Sequence, residues 1–331
     1  MKILVTGGAG YIGSHVVKHL GDFTNHHITV IDNLSTGYKQ SVLYGNFIDA
    51  NLSDALKLDN IFKNNNFDVV MHFAASIVAP ESVENPLKYY QNNTMNTLNL
   101  IGFCIKYNVK KFVFSSTAAV YGENNTHTLL DETITPEPIN PYGMSKLMSE
   151  NILKDVAKVN KDFKYIILRY FNVAGADTAC RIGQFNPKAT HLIKVAAEAA
   201  TGKRNKVYIY GNDYDTKDGT GIRDYIHIDD IADAHLKTME YLEEGDNNIF
   251  NCGYGLGYSV MDVIDTMKKL SGNDFDIEVA ARRPGDSARA VADNTKILQQ
   301  TNWKPRYNSL DVICKSAYEW EKHLKEKIQT N

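Results

Sequence analysis

The chain has 331 residues, with 36 Lys and Arg against 39 Asp and Glu, a formal net charge of −3, and 43% hydrophobic residues. This length corresponds to roughly two domains' worth of chain, arranged as two domains or as one large α/β unit. The near-neutral charge lacks the basic excess expected of a nucleic-acid-binding protein. No apolar run approaches the roughly 20 residues that a membrane span needs. We therefore expect neither a nucleic-acid partner nor a membrane association.

The N-terminus and the cysteines favour a cytoplasmic location. Lys2 is followed by only three apolar residues before Thr6-Gly7-Gly8, which is too short an apolar stretch for a signal peptide. The four cysteines form no CxxC pair and no cluster of metal ligands, and they fit reduced thiols; they are Cys104, Cys180, Cys252 and Cys314. The expected class is a globular cytoplasmic enzyme.

The first 170 residues alternate short apolar runs with longer helical patterns. The runs have the length of strands that are buried on both faces, as in a parallel sheet, and they lie at 2–6, 28–31, 69–73, 111–115 and 165–170. The helical patterns between them lie at about 11–21, 54–64, 86–108 and 141–160. Such alternation predicts an α/β fold with a Rossmann-type, doubly wound parallel sheet.

The pattern loosens after Tyr170. Loops rich in Gly, Asn and Asp, at 175–187, 211–221 and 253–257, separate shorter elements that include a helix near 189–201. This half predicts a smaller C-terminal α+β substrate domain over the carboxyl edge of the sheet. We place a cofactor-binding domain at residues 1–172, with some later segments returning to it, and the substrate domain at residues 173–331.

A glycine-rich turn follows the first predicted strand and opens a helix. Gly7, Gly10 and Gly13 have GxxGxxG spacing, a variant of the turn that binds dinucleotides. Glycines there allow a tight turn, a close approach of the backbone to a pyrophosphate and close helix–sheet packing, while the helix N-terminus faces the negative charge. An ordinary tight turn between strand and helix is the alternative.

Asp32 ends the next predicted strand, 19 residues after Gly13. A carboxylate at this position can accept hydrogen bonds from the ribose of an adenosine. It would repel a 2′-phosphate, and no Arg follows it before the next strand, so NAD is favoured over NADP. A solvated carboxylate at a strand end is the alternative interpretation.

Tyr142 and Lys146 lie four residues apart at the start of a predicted helix and share one of its faces. Asn140 is placed to cap this helix, and Pro141 occupies its first turn. A free phenol has a pKa near 10, but a nearby ammonium and a positive nicotinamide ring would stabilise the phenolate and make it a base. Because Tyr-x-x-x-Lys also occurs by chance on helix surfaces, this motif needs support from elsewhere in the sequence.

That support comes from a strand that ends in hydroxyl residues. Thr117 is the candidate to position a substrate alcohol, while Ser115 and Ser116 are not excluded by spacing. The order of glycine turn, strand-end carboxylate, strand-end hydroxyl and Tyr-x-x-x-Lys favours a catalytic pair over a surface pair.

These motifs resemble those of the UDP-glucose (UDP-galactose) 4-epimerases, in the extended short-chain dehydrogenase/reductase family. The cofactor half carries Thr6-Gly7-Gly8-Ala9-Gly10-Tyr11-Ile12-Gly13, Asp32-Asn33-Leu34, His72-Phe73-Ala74-Ala75, Pro86-Leu87-Lys88-Tyr89-Tyr90-Gln91-Asn92-Asn93, Ser115-Ser116-Thr117 and Tyr142-x-x-x-Lys146. The more specific motifs are Leu168-Arg169-Tyr170-Phe171-Asn172, Asp218-Gly219-Thr220-Gly221-Ile222-Arg223-Asp224-Tyr225-Ile226-His227 and Arg282-Arg283-Pro284-Gly285-Asp286. The resemblance covers essentially the whole chain.

The resemblance implies a set of site residues. For NAD they are Gly7, Gly10, Tyr11, Ile12, Gly13, Asp32, Asn33, Asp49, Ala50, Phe73, Ala74, Asn92, Tyr142, Lys146, Tyr170 and Phe171. For a UDP-sugar they are Thr117, Asn172, His191, Leu192, Tyr210, Arg223, Arg283, Asp286 and Ala290. Arg223 and Arg283 would grip the phosphates, because a forked guanidinium suits bidentate phosphate contacts. The chain departs from some relatives at His191, where they have Asn, and at Ile77, where they have Lys.

The implied reaction is redox-neutral. The Tyr142 phenolate takes the proton of the sugar 4-hydroxyl while hydride passes to NAD, and the 4-keto intermediate rotates before the transient NADH returns hydride to its other face. The resemblance thus implies interconversion of UDP-glucose and UDP-galactose, with residues 173–331 as the UDP-sugar-binding domain. A 4-epimerase of UDP-hexuronic acids or pentoses and a non-catalytic NAD-sensing protein are alternatives. A 4,6-dehydratase is disfavoured because Ala118 and Ala119 stand where its acid pair would be.

Substrate breadth is the next expectation. In the resembling family the residue seven positions after the second Arg of the Arg-Arg-x-Gly-Asp motif borders the hexose C2 substituent. A bulky Tyr there goes with UDP-glucose and UDP-galactose only. Here the residue is Ala290, which predicts that UDP-GlcNAc and UDP-GalNAc are accepted in addition, unless other side chains fill the space.

Two further expectations concern partners and metals. The resemblance implies a homodimer in which helices 86–108 and 141–160 pair as a four-helix bundle. We predict no metal site, because the acidic stretch at 212–219 lacks the Gly and Glu positions of a calcium loop and the ten histidines show no metal-binding spacing.

Overall fold

The computed structural model describes residues 1–123, 129–187, 190–283 and 285–330. Within these residues the strands are β1 (Lys2–Thr6), β2 (His27–Asp32), β3 (Asn46–Asp49), β4 (Val69–His72), β5 (Lys111–Thr117), β6 (Lys164–Tyr170), β7 (Asn172–Ala174), β8 (Lys206–Tyr210), β9 (Ile222–His227), β10 (Asn248–Cys252), β11 (Gly257–Ser259), β12 (Asp276–Ala280) and β13 (Arg289–Ala290). The α-helices are α1 (Tyr11–Phe23), α2 (Ala55–Asn64), α3 (Ala79–Glu84), α4 (Pro86–Tyr89), α5 (Asn96–Lys106), α6 (Pro141–Val159), α7 (Leu192–Ala200), α8 (Ile228–Tyr241), α9 (Val260–Ser271), α10 (Thr295–Gln300) and α11 (Leu310–Thr330).

Seven strands form one parallel sheet in the order β10-β6-β5-β4-β1-β2-β3. Its central strands are buried on both faces because helices cover both. Ile3 and Val5 of β1 pack with α1 and α8 in one core cluster, while Leu4 packs with α2, α5 and α6 in another. The predicted doubly wound α/β fold is therefore confirmed.

The sheet contains two strands that the sequence analysis missed. β3 lies at one edge, beside β2, and β10 lies at the other edge, beside β6. Both are short, and the sequence of β10, Asn-Ile-Phe-Asn-Cys, has too few apolar residues for a clear pattern. Strand pairing across the sheet, rather than local sequence, selects these segments.

The helix predicted at 86–108 is interrupted. Its ends are α4 and α5, and a π-helical turn, Tyr90–Met95, connects them. A π-helical turn inside a helix often marks a functional site. The helix predicted near 189–201 begins at Leu192, and Ala189 lies outside the described residues.

The second half of the chain forms two smaller sheets and also reaches back to the large one. β9 pairs with β7, β11 and β13, and β8 pairs with β12. β10 joins the large sheet, and α8 packs against α1. The boundary between residues 172 and 173 stays a prediction. Among the described helices, none combines the length and the apolar character required to cross a membrane.

A buried ion-pair cluster fastens the loop after β7 to α1. Lys18 Nζ donates to Asp177 Oδ1 at 2.8 Å and to Asp229 Oδ1 at 2.9 Å. Nearby, the Tyr11 hydroxyl donates to the Gly175 carbonyl at 2.6 Å. These contacts set the position of the helix that follows the glycine-rich turn.

Candidate active site

The glycine-rich turn leaves an uncapped helix N-terminus at the carboxyl end of β1. Gly10 is the N-cap residue of α1, and no side chain caps it. The first N–H groups of a helix have no partner within the helix, so this end is suited to an anion. Gly7 has a φ of +73°, which favours glycine.

The turn also approaches neighbouring backbone more closely than a side chain allows. A Cβ atom on Gly7 would lie 2.5 Å from the Ala74 amide nitrogen, and one on Gly13 would lie 2.3 Å from the Gly7 carbonyl oxygen. The predicted cofactor residues Phe73 and Ala74 follow β4 directly, and the Phe73 amide donates to the Thr6 carbonyl at 2.9 Å. The glycine spacing thus has a steric cause and forms a compact cradle.

Asp32 lies beside this cradle and is held by backbone N–H groups. Its Oδ2 accepts from the Ala9 amide at 3.0 Å and its Oδ1 accepts from the Leu34 amide at 2.8 Å. Burial raises the pKa of Asp32, and these N–H groups oppose the shift. Each carboxylate oxygen keeps a further lone pair, which a ribose hydroxyl could use.

The remaining predicted adenosine residues gather around Asp32. Asn33 follows Asp32 and is exposed. Asp49, also exposed, is the partner of Asp32 in the β2–β3 register. The buried Ala50 donates its amide to the Asp32 carbonyl at 3.1 Å. The structure therefore brings Asp32, Asn33, Asp49 and Ala50 together at one corner of the sheet.

The π-helical turn carries a residue to which the sequence analysis gave no role. Asn93 is buried, and its Oδ1 accepts from the Ser76 amide at 2.8 Å while its Nδ2 donates to Ser145 Oγ at 3.0 Å. Its neighbour Asn92, a predicted cofactor residue, donates to Ser76 Oγ at 3.0 Å. Asn93 thus joins the loop after β4 to α6. A buried Asn within a helical pattern is the signal that could have found it.

His72, to which the sequence analysis gave no role, makes a second buried link. Its Nδ1 lies 2.6 Å from Thr6 Oγ1 and its Nε2 lies 2.8 Å from Thr97 Oγ1. Burial, helped by the Lys146 charge, lowers the pKa of His72 to about 3. The ring is therefore neutral, and it connects β1, β4 and α5 just below the glycine turn.

Helix α6 presents Lys146 beneath the end of β5. Asn140 caps the helix, since its Oδ1 accepts from the Gly143 amide at 2.9 Å. Lys146 is buried, and its Nζ donates to the Ser115 carbonyl at 2.8 Å and lies 5.0 Å from the centre of the Phe114 ring. Burial lowers the pKa of Lys146 to about 7, while the negative charge of Glu150 opposes the shift.

Tyr142 and Thr117 meet at the same strand end. Burial raises the pKa of the half-buried Tyr142 phenol, and a hydrogen bond with the Thr117 side chain opposes the shift. The Ser116 hydroxyl instead donates to Glu150 at 2.6 Å, below the sheet edge. Of the hydroxyls considered, that of Thr117 is the one beside Tyr142 in this geometry.

The ends of β6 and β7 border this group. The Tyr170 hydroxyl is hydrogen-bonded to His235, whose ring centre lies 4.8 Å from that of Phe73. Phe171 is buried in a small apolar cluster, and Asn172 is exposed at the start of β7. Tyr170 is thereby held near the predicted nicotinamide path.

Four of the predicted substrate residues form one cluster. Arg283 Nε donates to Asp286 Oδ2 at 3.0 Å, and Arg223 Nη2 lies 3.9 Å from Asp286 Oδ1. The Arg283 guanidinium lies 4.5 Å from the centre of the Tyr210 ring. Two cations against one carboxylate leave positive charge for an anionic ligand. Pro284 of this motif lies outside the described residues.

Ala290 lies between the arginine cluster and the catalytic group. It is the register partner of Arg223 in the β13–β9 pair. It also packs against the apolar cluster of Val120, Tyr121 and Phe171, which includes the 3₁₀ turn directly after Thr117. A side chain at residue 290 therefore borders the space between Thr117 and the arginines.

His191 and Leu192 have other surroundings. The His191 side chain lies 2.9 Å from Gln184 Nε2, and with Trp320 and Glu321 it lines a small cavity. Burial lowers the pKa of His191, and Leu192 packs on the main core. Contact of these two residues with a nucleotide stays a prediction. Among the described residues, no group of three or more His, Cys, Asp or Glu side chains could hold a metal ion.

Comparison with known proteins gives matches along nearly the whole chain. Residues 3–253 match the NAD dependent epimerase/dehydratase family. A UDP-glucose 4-epimerase from Azospirillum brasilense is 47% identical, covering 99% of this chain and 94% of the relative. The structure of the UDP-Glc/GlcNAc 4-epimerase from Campylobacter jejuni is 54% identical with a TM-score of 0.86, covering 97% of this chain and 99% of the relative. A Bifidobacterium longum UDP-glucose 4-epimerase in complex with NAD+ and UDP is 35% identical with a TM-score of 0.92, covering 98% of each chain.

The steric role of the glycine cradle can be tested at Gly13. We expect Gly13→Ala to lower the affinity for NAD by about tenfold or more, because the added methyl displaces the first turn of α1 from the anion. The measurement is the NAD content per chain of the purified protein, followed by titration with NAD.

Gly102→Ala is the matched control. It makes the same substitution in α5, where an added Cβ meets nothing within 4 Å, so NAD content should stay at the level of the unsubstituted protein. Equal NAD content in Gly13→Ala and Gly102→Ala would contradict the steric role.

Proposed function

The chain belongs to the NAD dependent epimerase/dehydratase family, and from this premise we infer that it interconverts UDP-glucose and UDP-galactose by 4-epimerisation with bound NAD. The observation that carries the inference is the meeting of Tyr142 with Thr117, above the buried Lys146, at the sheet edge that also holds the glycine cradle. The epimerases compared above are similar to this chain over nearly its full length.

The cofactor site fits NAD on the residues present. The uncapped N-terminus of α1 receives the pyrophosphate, and Asp32 receives the adenosine ribose. The exposed Asp49 opposite Asp32 adds negative charge at the position that a 2′-phosphate would need. NAD supplies a hydride acceptor that also serves as the donor, and its positively charged ring favours the phenolate of Tyr142.

Tyr142 holds the proton that moves during turnover. Its phenolate accepts the proton of the sugar 4-hydroxyl, and the resulting phenol returns that proton to the 4-keto oxygen after the sugar has turned its other face to the cofactor. Thr117 orients that hydroxyl from the end of β5. In the protein alone burial raises the pKa of Tyr142, so the phenolate forms only where positive charges compensate it.

Lys146 supplies one of those charges. Lys146 lies on the same face of α6 as Tyr142. Its Nζ donates a hydrogen bond to the Ser115 carbonyl of β5, which fixes its position. The pKa of about 7 means that the ammonium is only partly populated near neutral pH without a ligand. A phenolate four residues away raises the pKa of Lys146, so the two charges form together.

The arginine cluster holds the nucleotide while the hexose turns. Arg223 and Arg283 contact the diphosphate, and Asp286, released from part of its ion pairing, accepts from the uridine ribose. Firm binding of the diphosphate and few contacts to the sugar allow the 4-keto sugar to present either face. This division of contacts is what a 4-epimerase requires.

The catalytic assignment is tested at Tyr142. Tyr142→Phe removes the proton acceptor but keeps the ring, so we expect bound NAD to be retained while kcat for UDP-galactose formation falls by about 10²- to 10⁴-fold. The measurements are turnover of UDP-glucose and NAD content on the same preparation.

Tyr107→Phe is the control, because its hydroxyl bonds with Asp59 and Lys106, neither of which is a predicted site residue, and we expect full activity. Turnover near that of the unsubstituted protein in Tyr142→Phe would refute the role of Tyr142. Absence of turnover in the unsubstituted protein itself, despite bound NAD, would favour an NAD-sensing protein.

We further propose that the site accepts UDP-GlcNAc and UDP-GalNAc. Ala290 has a small side chain and borders both Arg223 and the 3₁₀ turn after Thr117. The similar Campylobacter jejuni protein is described as a UDP-Glc/GlcNAc 4-epimerase. A C2 acetamido group needs room beside residue 290, because adding even a few atoms to a filled pocket is unfavourable.

Ala290→Tyr tests this breadth. We expect it to lower kcat/KM for UDP-GalNAc by about tenfold or more, with a much smaller effect on UDP-galactose. Ala290→Ser, which adds one oxygen atom, is the control and keeps both activities. The breadth proposal fails if the unsubstituted protein ignores UDP-GalNAc or if Ala290→Tyr still converts it.

We also propose a homodimer that pairs α5 and α6 with those of a second copy. Leu98, Ile105 and Met148 remain exposed, with 42%, 37% and 40% of their surface accessible, although each lies on a helix next to the sheet. On α5, which carries Leu98 and Ile105, the residues Leu100 and Ile101 are instead buried in the core that faces the sheet. A second apolar face on α5 is suited to pairing with another helix.

Leu98→Arg tests the dimer. We expect a particle of twice the 37.1 kDa chain mass for the unsubstituted protein and a monomer for the variant, because the charge cannot be buried in an apolar contact. Sedimentation velocity gives both masses. Leu56→Arg, at an 87% exposed position on α2, is the control and should leave the mass unchanged. A monomeric unsubstituted protein would disprove the proposal.

A further inference from the structure

A buried carboxylate continues the catalytic face of α6. Tyr142, Lys146 and Glu150 follow one another at intervals of four residues, so they share one helix face. Glu150 has no exposed surface. An ionised group is buried only where partners compensate its charge, and the partners of Glu150 lead to the catalytic strand end.

Arg169 and Ser116 hold Glu150 in a fixed orientation. Arg169 Nε donates to Oε1 at 3.0 Å and Arg169 Nη2 donates to Oε2 at 2.7 Å, which is a bidentate pair. The Ser116 hydroxyl donates to Oε1 at 2.6 Å, one residue before Thr117. Lys154 lies 3.7 Å from Oε2, at the more exposed end of the pair.

The Arg169 side of the pair is also enclosed. Its guanidinium lies 4.8 Å from the centre of the Tyr121 ring, and Tyr121 belongs to the 3₁₀ turn that follows Thr117. Its Nη1 is buried without a hydrogen-bond partner. Glu150 is therefore the partner that compensates this cation, and the pair lies directly beneath the strand end that carries Thr117.

Several titratable groups lie on the helix of Lys146 and on the elements packed around it. They include Tyr142, Glu150, Lys154, Asp155 and Lys158 of α6, His72 of β4, Arg169 and Tyr170 of β6, Tyr89 of α4, whose ring packs against that of Tyr142, and Glu81 of α3, which accepts from the Tyr89 hydroxyl. Among the described carboxylates, Glu150 is the one whose charge raises the pKa of Lys146. The pair with Arg169 is neutral overall, but its negative end belongs to the same helix face as Lys146.

We propose that Glu150 is a positioning residue that keeps Lys146 protonated and so sets the alkaline limit of turnover, with Arg169 and Ser116 fixing its orientation. This inference rests on the proposed epimerase function. Glu150 touches neither cofactor nor substrate, and it acts through Lys146. The negative charge of Glu150 raises the pKa of Lys146 against the effect of burial, in agreement with this geometry.

The test compares the pH profiles of kcat in three variants. Glu150→Gln removes the anion and leaves the Arg169 cation, so the Lys146 ammonium is lost at lower pH and the alkaline limit falls by about one pH unit or more. Arg169→Met leaves the anion uncompensated, so the alkaline limit rises. The double variant removes both charges, and its limit still falls, though by less than in Glu150→Gln, because Glu150 is the member of the pair that acts on Lys146.

Opposite shifts of the alkaline limit in the two single variants are a signature of charge, because loss of packing alone would lower kcat without moving the limits. Where a single variant does not fold, the double variant remains, since neutral side chains of similar volume often replace a buried ion pair without loss of stability. Glu150→Asp, which keeps the charge, should keep an alkaline limit close to that of the unsubstituted protein.

Asp155→Asn is the matched control on the same helix. Asp155 is 71% exposed, so solvent screens its charge and the pH profile should not change. The proposal is overturned if Glu150→Gln, or the double variant when the single ones do not fold, has the pH limits of the unsubstituted protein. Absence of epimerase activity in the unsubstituted protein would instead refute the proposed function, which separates the two failures.

Discussion

All seven strands of the large sheet run in one direction, so their carboxyl ends form a single edge, and the proposed cofactor and catalytic groups depend on that constraint. Thr6, Asp32, His72, Thr117 and Tyr170 each end a different strand. The ladder of parallel pairs brings them together, although they are far apart in sequence. The helix N-termini that follow the strands point to the same edge, which makes it suited to an anionic, two-part ligand.

Burial disfavours the charged forms of both Tyr142 and Lys146. Burial lowers the pKa of Lys146 and raises that of Tyr142, so desolvation disfavours both the ammonium and the phenolate that the reaction needs. A ligand with a positive ring would favour the phenolate, and the mutual attraction of phenolate and ammonium would favour both charges. The carboxylate of Glu150, held by Arg169, favours the Lys146 ammonium even without a ligand.

The second half of the chain supplies the charge for the nucleotide and also part of the cofactor sheet. β9 carries Arg223 next to Ala290 of β13, so the arginine proposed to bind the phosphates and the residue proposed to border the sugar are adjacent in one small sheet. β10 meanwhile extends the large sheet, and Lys18 of α1 is bound to Asp177 and Asp229. Cofactor and substrate residues are therefore held in one frame.

The sequence by itself determined the doubly wound sheet, the glycine turn, Asp32 and the Tyr142–Lys146 face, because each depends on local periodicity or on fixed short spacing. The structure alone decided which hydroxyl meets Tyr142, how Arg223 and Arg283 share Asp286, that the helix predicted at 86–108 contains a π-helical turn, and that β3 and β10 complete the sheet. It also revealed the roles of His72, Asn93 and Glu150. These features depend on contacts between residues distant in sequence, where burial and partner geometry, rather than local propensity, set the outcome.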